Sequence, residues 1–230
     1  MKEMKEKIEP QNDAGLLKDL RNSDKYLLEE APGIIAERKR LGLEGLVGGL
    51  QAVIINTEPE RQRATAEELL RYTGLEYNGA FVDDEYRTCV LKTPGYHEFR
   101  SADFLVRASV KGDNPFYRLN MAPKSKHLPN TRLETFVFET NDIEEYVSIQ
   151  KSQGFEFLTD EIVCLDNYSF IQTVPSKFTG NSLGFIQWVG EKGRYENSAT
   201  RKLDWDMKKP KLDHLQNVRW LDHAATRVKA

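Results

Sequence analysis

Cysteine is nearly absent from this chain of 230 residues, which has only two. Cys89 and Cys164 fall in expected strands of different halves, and both read as buried free thiols, with a disulfide or a reactive thiol as the alternative. Charge of one sign is also lacking: 33 Lys and Arg against 36 Asp and Glu leave a net charge of −3, which gives no general drive toward nucleic acid or an anionic membrane. Apolar runs stop at strand length, far short of the roughly 20 residues a membrane-crossing helix needs. The opening MKEMKEKIEPQND mixes charges without an apolar stretch, so it does not read as a secretory signal, and a cytoplasmic protein is expected. No G-x-S-x-G, C-x-x-C or H-E-x-x-H occurs, and Gly42, Gly45, Gly48 and Gly49 precede a strand rather than link a strand to a helix, which excludes a phosphate-binding loop.

What is present is a duplicated order of elements. LETFVFET (133–140) alternates, with Phe136 and Phe138 on one face, as a half-buried strand does. Asn141 is placed to cap the helix that follows, with Asp142, Glu144 and Glu145 at its positive end. Ile143, Tyr146, Val147 and Gln150 form its apolar stripe, and Gly154 suits the left-handed residue that ends it. Strand-like runs follow near 155–158 with 161–165, at 168–174 and at 183–189. The earlier copy reads LQAVIIN (50–56) as a strand, 58–74 as a helix with Pro59 in its first turn and Gly74 at its end, and runs near 75–82, 86–93 and 103–110. Both helices exit through the same pattern, Gly74-Leu75-Glu76 and Gly154-Phe155-Glu156. Two copies of one supersecondary unit carry more weight than either alone.

The expected fold is therefore α+β, with two paired βαβββ modules. The expected organisation is an N-terminal helical region (1–46), a paired domain (47–190; modules 47–110 and 131–190, linker 111–130) and a C-terminal extension (191–230). In the N-terminal region Leu16, Leu17, Leu20, Leu27, Leu28, Ile34 and Ile35 recur at helical spacing, with Pro32 suited to the first turn of a second helix. That region reads as a helical extension packed on the sheet, or as a lid or dimerisation arm. The linker's Lys124, Lys126 and His127 read as a solvated basic loop, and Asp83-Asp84-Glu85 as a solvated hairpin turn. In the extension Trp205 is a candidate anchor, and 212–230 fits a helix or a strand equally.

Paired βαβββ units whose helices exit into Gly-[Leu/Phe]-Glu resemble the vicinal oxygen chelate superfamily, which includes glyoxalase I, bleomycin-resistance proteins and extradiol dioxygenases. The resemblance covers about 47–190. It implies a cup between the modules, with a divalent metal (Fe, Mn or Zn) held by donors from each module's first and last strands, leaving open positions for substrate oxygens. Matched onto this chain, the cup-facing positions are Gln51 and Thr135 on the first strands, Gln187 on the second module's last strand, and Val106 or Arg107 on the first module's.

Neutral amides and a hydroxyl offer little to offset dehydration of a divalent ion. Glu134, expected on the opposite face from Thr135, would reach the cup only if the strand slipped by one residue, which turns Phe136 and Phe138 over with it. His97 is a further metal candidate at the cup mouth, and His223 another, because residues 220–228 (WLDHAATRV) resemble the opening strand of a third module. On that resemblance the chain is the metal-free front half of a four-module protein. The reading is a small-molecule-binding or structural domain with no metal or other cofactor of its own, engaging neither nucleic acid nor membrane, with a homodimer as a possible assembly. The alternative is a metal-dependent lyase or dioxygenase completed by His223 or by a partner subunit.

Overall fold

A computed structural model describes residues 24–94, 101–111, 131–177, 179–209, 221 and 224. Two compact units divide the chain, one ending at Glu44 and the other beginning at Gly45. The first holds helix α1 (Asp24–Arg40), which runs through Pro32 rather than restarting there and leaves Leu27, Leu28, Ile34 and Ile35 exposed. No helix among the described residues is long and apolar enough to cross a membrane.

The second unit is built on one nine-stranded sheet. Its first module is β1 (Val47–Thr57), α2 (Gln62–Tyr72), β2 (Glu76–Val82), β3 (Tyr86–Lys92) and β4 (Asp103–Ser109). Its second is β5 (Arg132–Thr140), α3 (Ile143–Ser152), β6 (Val163–Cys164), β7 (Tyr168–Gln172) and β8 (Ser182–Trp188). A short β9 (Arg201–Lys202) completes the order β6-β7-β8-β5-β1-β4-β3-β2-β9. Each module pairs its first and last strands in parallel, β1 with β4 and β5 with β8, and the modules join through antiparallel β1 and β5. That arrangement is the expected α+β pair of βαβββ units.

Local chemistry explains most of the elements. Asp142, one residue after the expected cap, accepts the Glu145 N–H at 2.9 Å and starts α3, while Asn141 donates instead to the Gly45 carbonyl at 3.2 Å. Gly154 has φ +83°, the left-handed conformation a helix exit wants. The α2 exit differs: Gly74 is not in that region, and the Thr73 hydroxyl donates back to the Leu69 carbonyl at 2.7 Å. Pro59 precedes α2, whose start is tied down by buried Gln62, donating to the carbonyls of Arg87 (2.7 Å) and Val106 (2.8 Å). The run expected at 161–165 shrinks to the two residues of β6, and Cys164 is exposed there, against the expected burial.

The helices cover one face of the sheet. Ala66 and Leu70 of α2 pack with Leu75, Cys89, Leu91, Val106 and Met207, and Tyr146 of α3 lies 4.3 Å, centroid to centroid, from Phe185. The chain after β8 crosses to this side, where Trp205 packs on the cluster beneath the Arg87 guanidinium, 5.4 Å from its ring. The opposite face carries Ala52, Ile54, Phe81, Val90, Leu105, Val137 and Ile186, and it forms the floor of a cup.

Candidate functional site

The cup encloses a cavity of about 670 Å³. Phe81, Leu105, Val137, Phe170 and Ile186 supply apolar walls, and Arg107, Gln172 and Thr88 supply polar groups. Alternation along each strand places these residues: Leu105 and Arg107 share the cup face of β4, while Val106 between them points to the α2 side. Of the two expected candidates on that strand, Arg107 is thus the one at the cavity.

An irregularity in β5 changes the first-strand positions. Ile54 pairs with Thr135 but Ile55 pairs with Leu133, so Glu134 is an inserted residue, a bulge. Both Glu134 and Thr135 therefore reach the cup, and Phe136 and Phe138 keep their face without a slip of the strand. A matching step in β1, where Leu50 pairs with Phe138 and Ala52 with Val137, inserts Gln51. The true counterparts across the module pair are Gln51 and Glu134, one residue away from the match with Thr135 that counting back from the helices gives.

The Glu134 carboxylate is fully buried and closely held. It pairs with the Arg107 guanidinium, accepts from Asn56 Nδ2 at 2.9 Å and Gln172 Nε2 at 3.1 Å, and accepts from the Thr135 hydroxyl at 3.2 Å. Gln172 Nε2 also donates to Thr135 Oγ1 at 2.8 Å. The Arg107 side chain is 15% exposed, and its guanidinium stacks 4.3 Å from the Tyr86 ring centroid. Burial works against its charge, yet Glu134 and Tyr86 outweigh that and hold its pKa above the ordinary value. The pair carries no net charge, but Arg107 Nε has no hydrogen-bond partner among the described residues, so this end of the cup is polar and keeps a donor to offer.

The other end of the cup is filled by the chain after β8. Tyr195, 3% exposed, donates its hydroxyl to Asp103 Oδ2 at 2.9 Å and accepts from Gln51 Nε2 at 3.3 Å. Its ring lies 5.4 Å from Trp188 and 6.3 Å from Tyr168, and Lys92 Nζ stands 5.8 Å from its centroid. Tyr168 donates to the Tyr195 carbonyl at 3.3 Å, and burial pushes the Tyr168 phenol up to about 12. Gln51 thus points to the side of the sheet where Tyr195 sits and is engaged by that residue of the same chain.

Gln187 is elsewhere. It stands on the helix face of β8, where its Oε1 accepts the Ile143 N–H at 2.9 Å at the start of α3. Gly184, Ile186 and Trp188 of that strand face the cup side instead, because its register with β5 pairs Val137 with Gly184. Neither Tyr195 nor Gln172 stood out in the sequence. Tyr195 lies in a segment without periodicity, while the alternation of β7 (Tyr168, Phe170, Gln172) was the signal that places Gln172 in the cup. His97 and His223, with Lys124, Lys126 and His127, lie outside the described residues. Within 212–230 only Leu221 and Ala224 are described, and the Leu221 N–H donates to the Ser101 hydroxyl at 2.9 Å.

A divalent ion of the kind the resemblance implies does not fit the described residues of the cup. No three His, Cys, Asp or Glu side chains converge among them, and Glu134 is already neutralised by a guanidinium that a cation would have to displace. What the arrangement offers is a small apolar chamber with a hydrogen-bonding end.

No family model matches this sequence, and no curated protein matches it. Solved structures do match. A methylmalonyl-CoA epimerase variant from Streptomyces coelicolor, in complex with 2-nitronate-propionyl-CoA, is 14% identical, with a TM-score of 0.50 over 64% of this chain and 98% of that one. The Mycobacterium tuberculosis methylmalonyl-CoA epimerase is 15% identical, at 0.47 over 63% and 90%. A hypothetical protein from Bacillus halodurans is 16% identical, at 0.41 over 65% and 98%. At such identities the likeness is one of fold alone, the glyoxalase-like pairing of βαβββ units.

Proposed function

We propose that this chain is a small-molecule-binding domain of glyoxalase-like fold, acting without a catalytic metal of its own. The observation that carries the reading is the cavity of about 670 Å³ between the two modules, walled by apolar side chains and ending on a self-neutralised Arg107–Glu134 pair. A volume of that size suits a small organic molecule, and apolar walls with a few fixed polar groups are what such sites use. Gln172 and Thr88 supply hydrogen bonds along the wall, and Arg107 supplies donors that a neutral oxygen of the ligand can share. The ligand bound by the Streptomyces epimerase, a CoA ester analogue, supports a ligand role for this fold without indicating that compound here.

The test is a fragment screen by ligand-observed NMR on the wild-type chain and on Val137→Trp, which fills the cavity from its floor. Circular dichroism checks that the variant folds, and Leu105→Phe serves as a milder second block. The reading expects fragments that bind the wild type and are lost in both blocked forms. Fragments that bind all three forms equally place the ligand elsewhere and defeat it.

A further inference from the structure

We propose that the ligand of this cup is a hydrophobic amine, an apolar ring-bearing body with a protonated nitrogen held at the mouth. The inference rests on the cup being a ligand site and adds the charge of what enters it.

The reasoning begins with the basic side chains. Among the described residues, Arg107 is the one basic side chain lining the cavity, and its charge is spent on Glu134 at the floor. An anionic ligand would have to share that guanidinium with Glu134, which sets two anions against one cation in a buried space. Acidic side chains are distributed differently. Asp83, Asp84 and Glu85, in the turn between β2 and β3, also line the cavity; none lies within ion-pair distance of a cation among the described residues, though Asp83 adds to the field that keeps Arg107 charged. The turn is fixed rather than loose, because Asp83 Oδ1 accepts the N–H groups of Glu85 (2.8 Å) and Tyr86 (2.7 Å). Three carboxylates and one guanidinium line this space, and that guanidinium already serves Glu134 behind it. Apolar walls focus such a field rather than screening it.

The walls point the same way. Phe81, Tyr168 and Phe170 present aromatic surface to the cavity, and the negative face of an aromatic ring attracts a cation at short range. An apolar body gains from burial against Leu105, Val137 and Ile186. An ammonium left near the turn keeps its partial hydration and gains the carboxylates, so it avoids the full cost of burying a charge.

The experiment compares three probes with one body: naphthylethylamine, naphthylethanol and naphthylacetate, titrated calorimetrically into the wild-type chain. The second arm uses the combined variant Asp83→Asn, Asp84→Asn and Glu85→Gln, in which the amide oxygen introduced by Asp83→Asn can still accept the two backbone N–H groups. The expected order is amine, alcohol, carboxylate, with the amine about tenfold tighter than the alcohol, a difference the variant erases while leaving the alcohol unchanged. Raised ionic strength should weaken the amine and not the alcohol. If the three bind alike, or the carboxylate binds best, or the variant keeps the amine preference, the charge inference is wrong while the cup remains a ligand site. If none binds, or all bind Val137→Trp as well as wild type, the ligand-site reading falls with it.

Discussion

Glu134 joins two neighbouring amides, a hydroxyl and a guanidinium in one buried cluster. Removing one member leaves the rest exposed to the cost of an unpaired charge. Glu134→Ala should therefore destabilise the chain by about 3–5 kcal/mol, whereas Arg107→Met with Glu134→Leu should recover most of that loss, as read from urea melts. The two thiols form a second contrast. Burial pushes the Cys89 thiol up to about 12, while Cys164 is exposed. One thiol should react with a disulfide reagent in the native protein and the second only after unfolding, which a stopped titration in and out of denaturant measures. Helix starts are readable, and matched onto the family resemblance they give Gln51, and Val106 or Arg107, as cup-facing positions. Sequence alone could not place Glu134, because a bulge is an extra residue in a strand, and alternating patterns are blind to it until the partner strand is known.

At the scale of elements, the close packing of β8 against its neighbours depends on a missing side chain. A Cβ at Gly184 would lie 3.0 Å from Phe170 Cε2 and 3.1 Å from Thr135 Cγ2. Gly184→Ala should cost about 1–3 kcal/mol in chemical denaturation, and it should tilt Phe170 into the cavity and weaken any ligand held there. The start of α3 offers a milder test. Asp142 caps it and Gln187 accepts its first N–H, so Asp142→Ala should cost about 1 kcal/mol, with Gln187→Ala adding to it. The helices were legible from apolar spacing and from Gly154, yet the cap fell one residue later than expected because Asn141 is drawn to the Gly45 carbonyl. Gln187 misled for a related reason. Its strand's register against β5 decides which residues face the cup, and register is a tertiary fact.

At the largest scale, the second unit is built on a near-symmetric pair of modules that meet through β1 and β5, with one end of the cup occupied by Tyr195. The duplication was readable because each copy repeats the same order of strand and helix lengths. The filling of the cup was not, since the segment that carries Tyr195 has neither periodicity nor a partner in the other copy. Burial holds Tyr146 and Tyr168 up to about 12, against an ordinary value of 10.0, so both stay neutral in the folded chain where the unfolded chain would ionise. Their contribution to stability is therefore whole below pH 10.0 and is lost as the pH rises from there toward 12, and Tyr168→Phe should flatten that decline in a series of thermal melts.

The most direct test of the central claim is a crystal structure of the chain soaked with naphthylethylamine in the presence of Mn(II) and Zn(II). The account predicts the rings against Phe81, Leu105 and Phe170, the nitrogen toward Asp83 and Glu85, and Arg107 still paired with Glu134. An ion bound at Glu134 with Arg107 displaced, or a ligand lodged outside the cup, would contradict it.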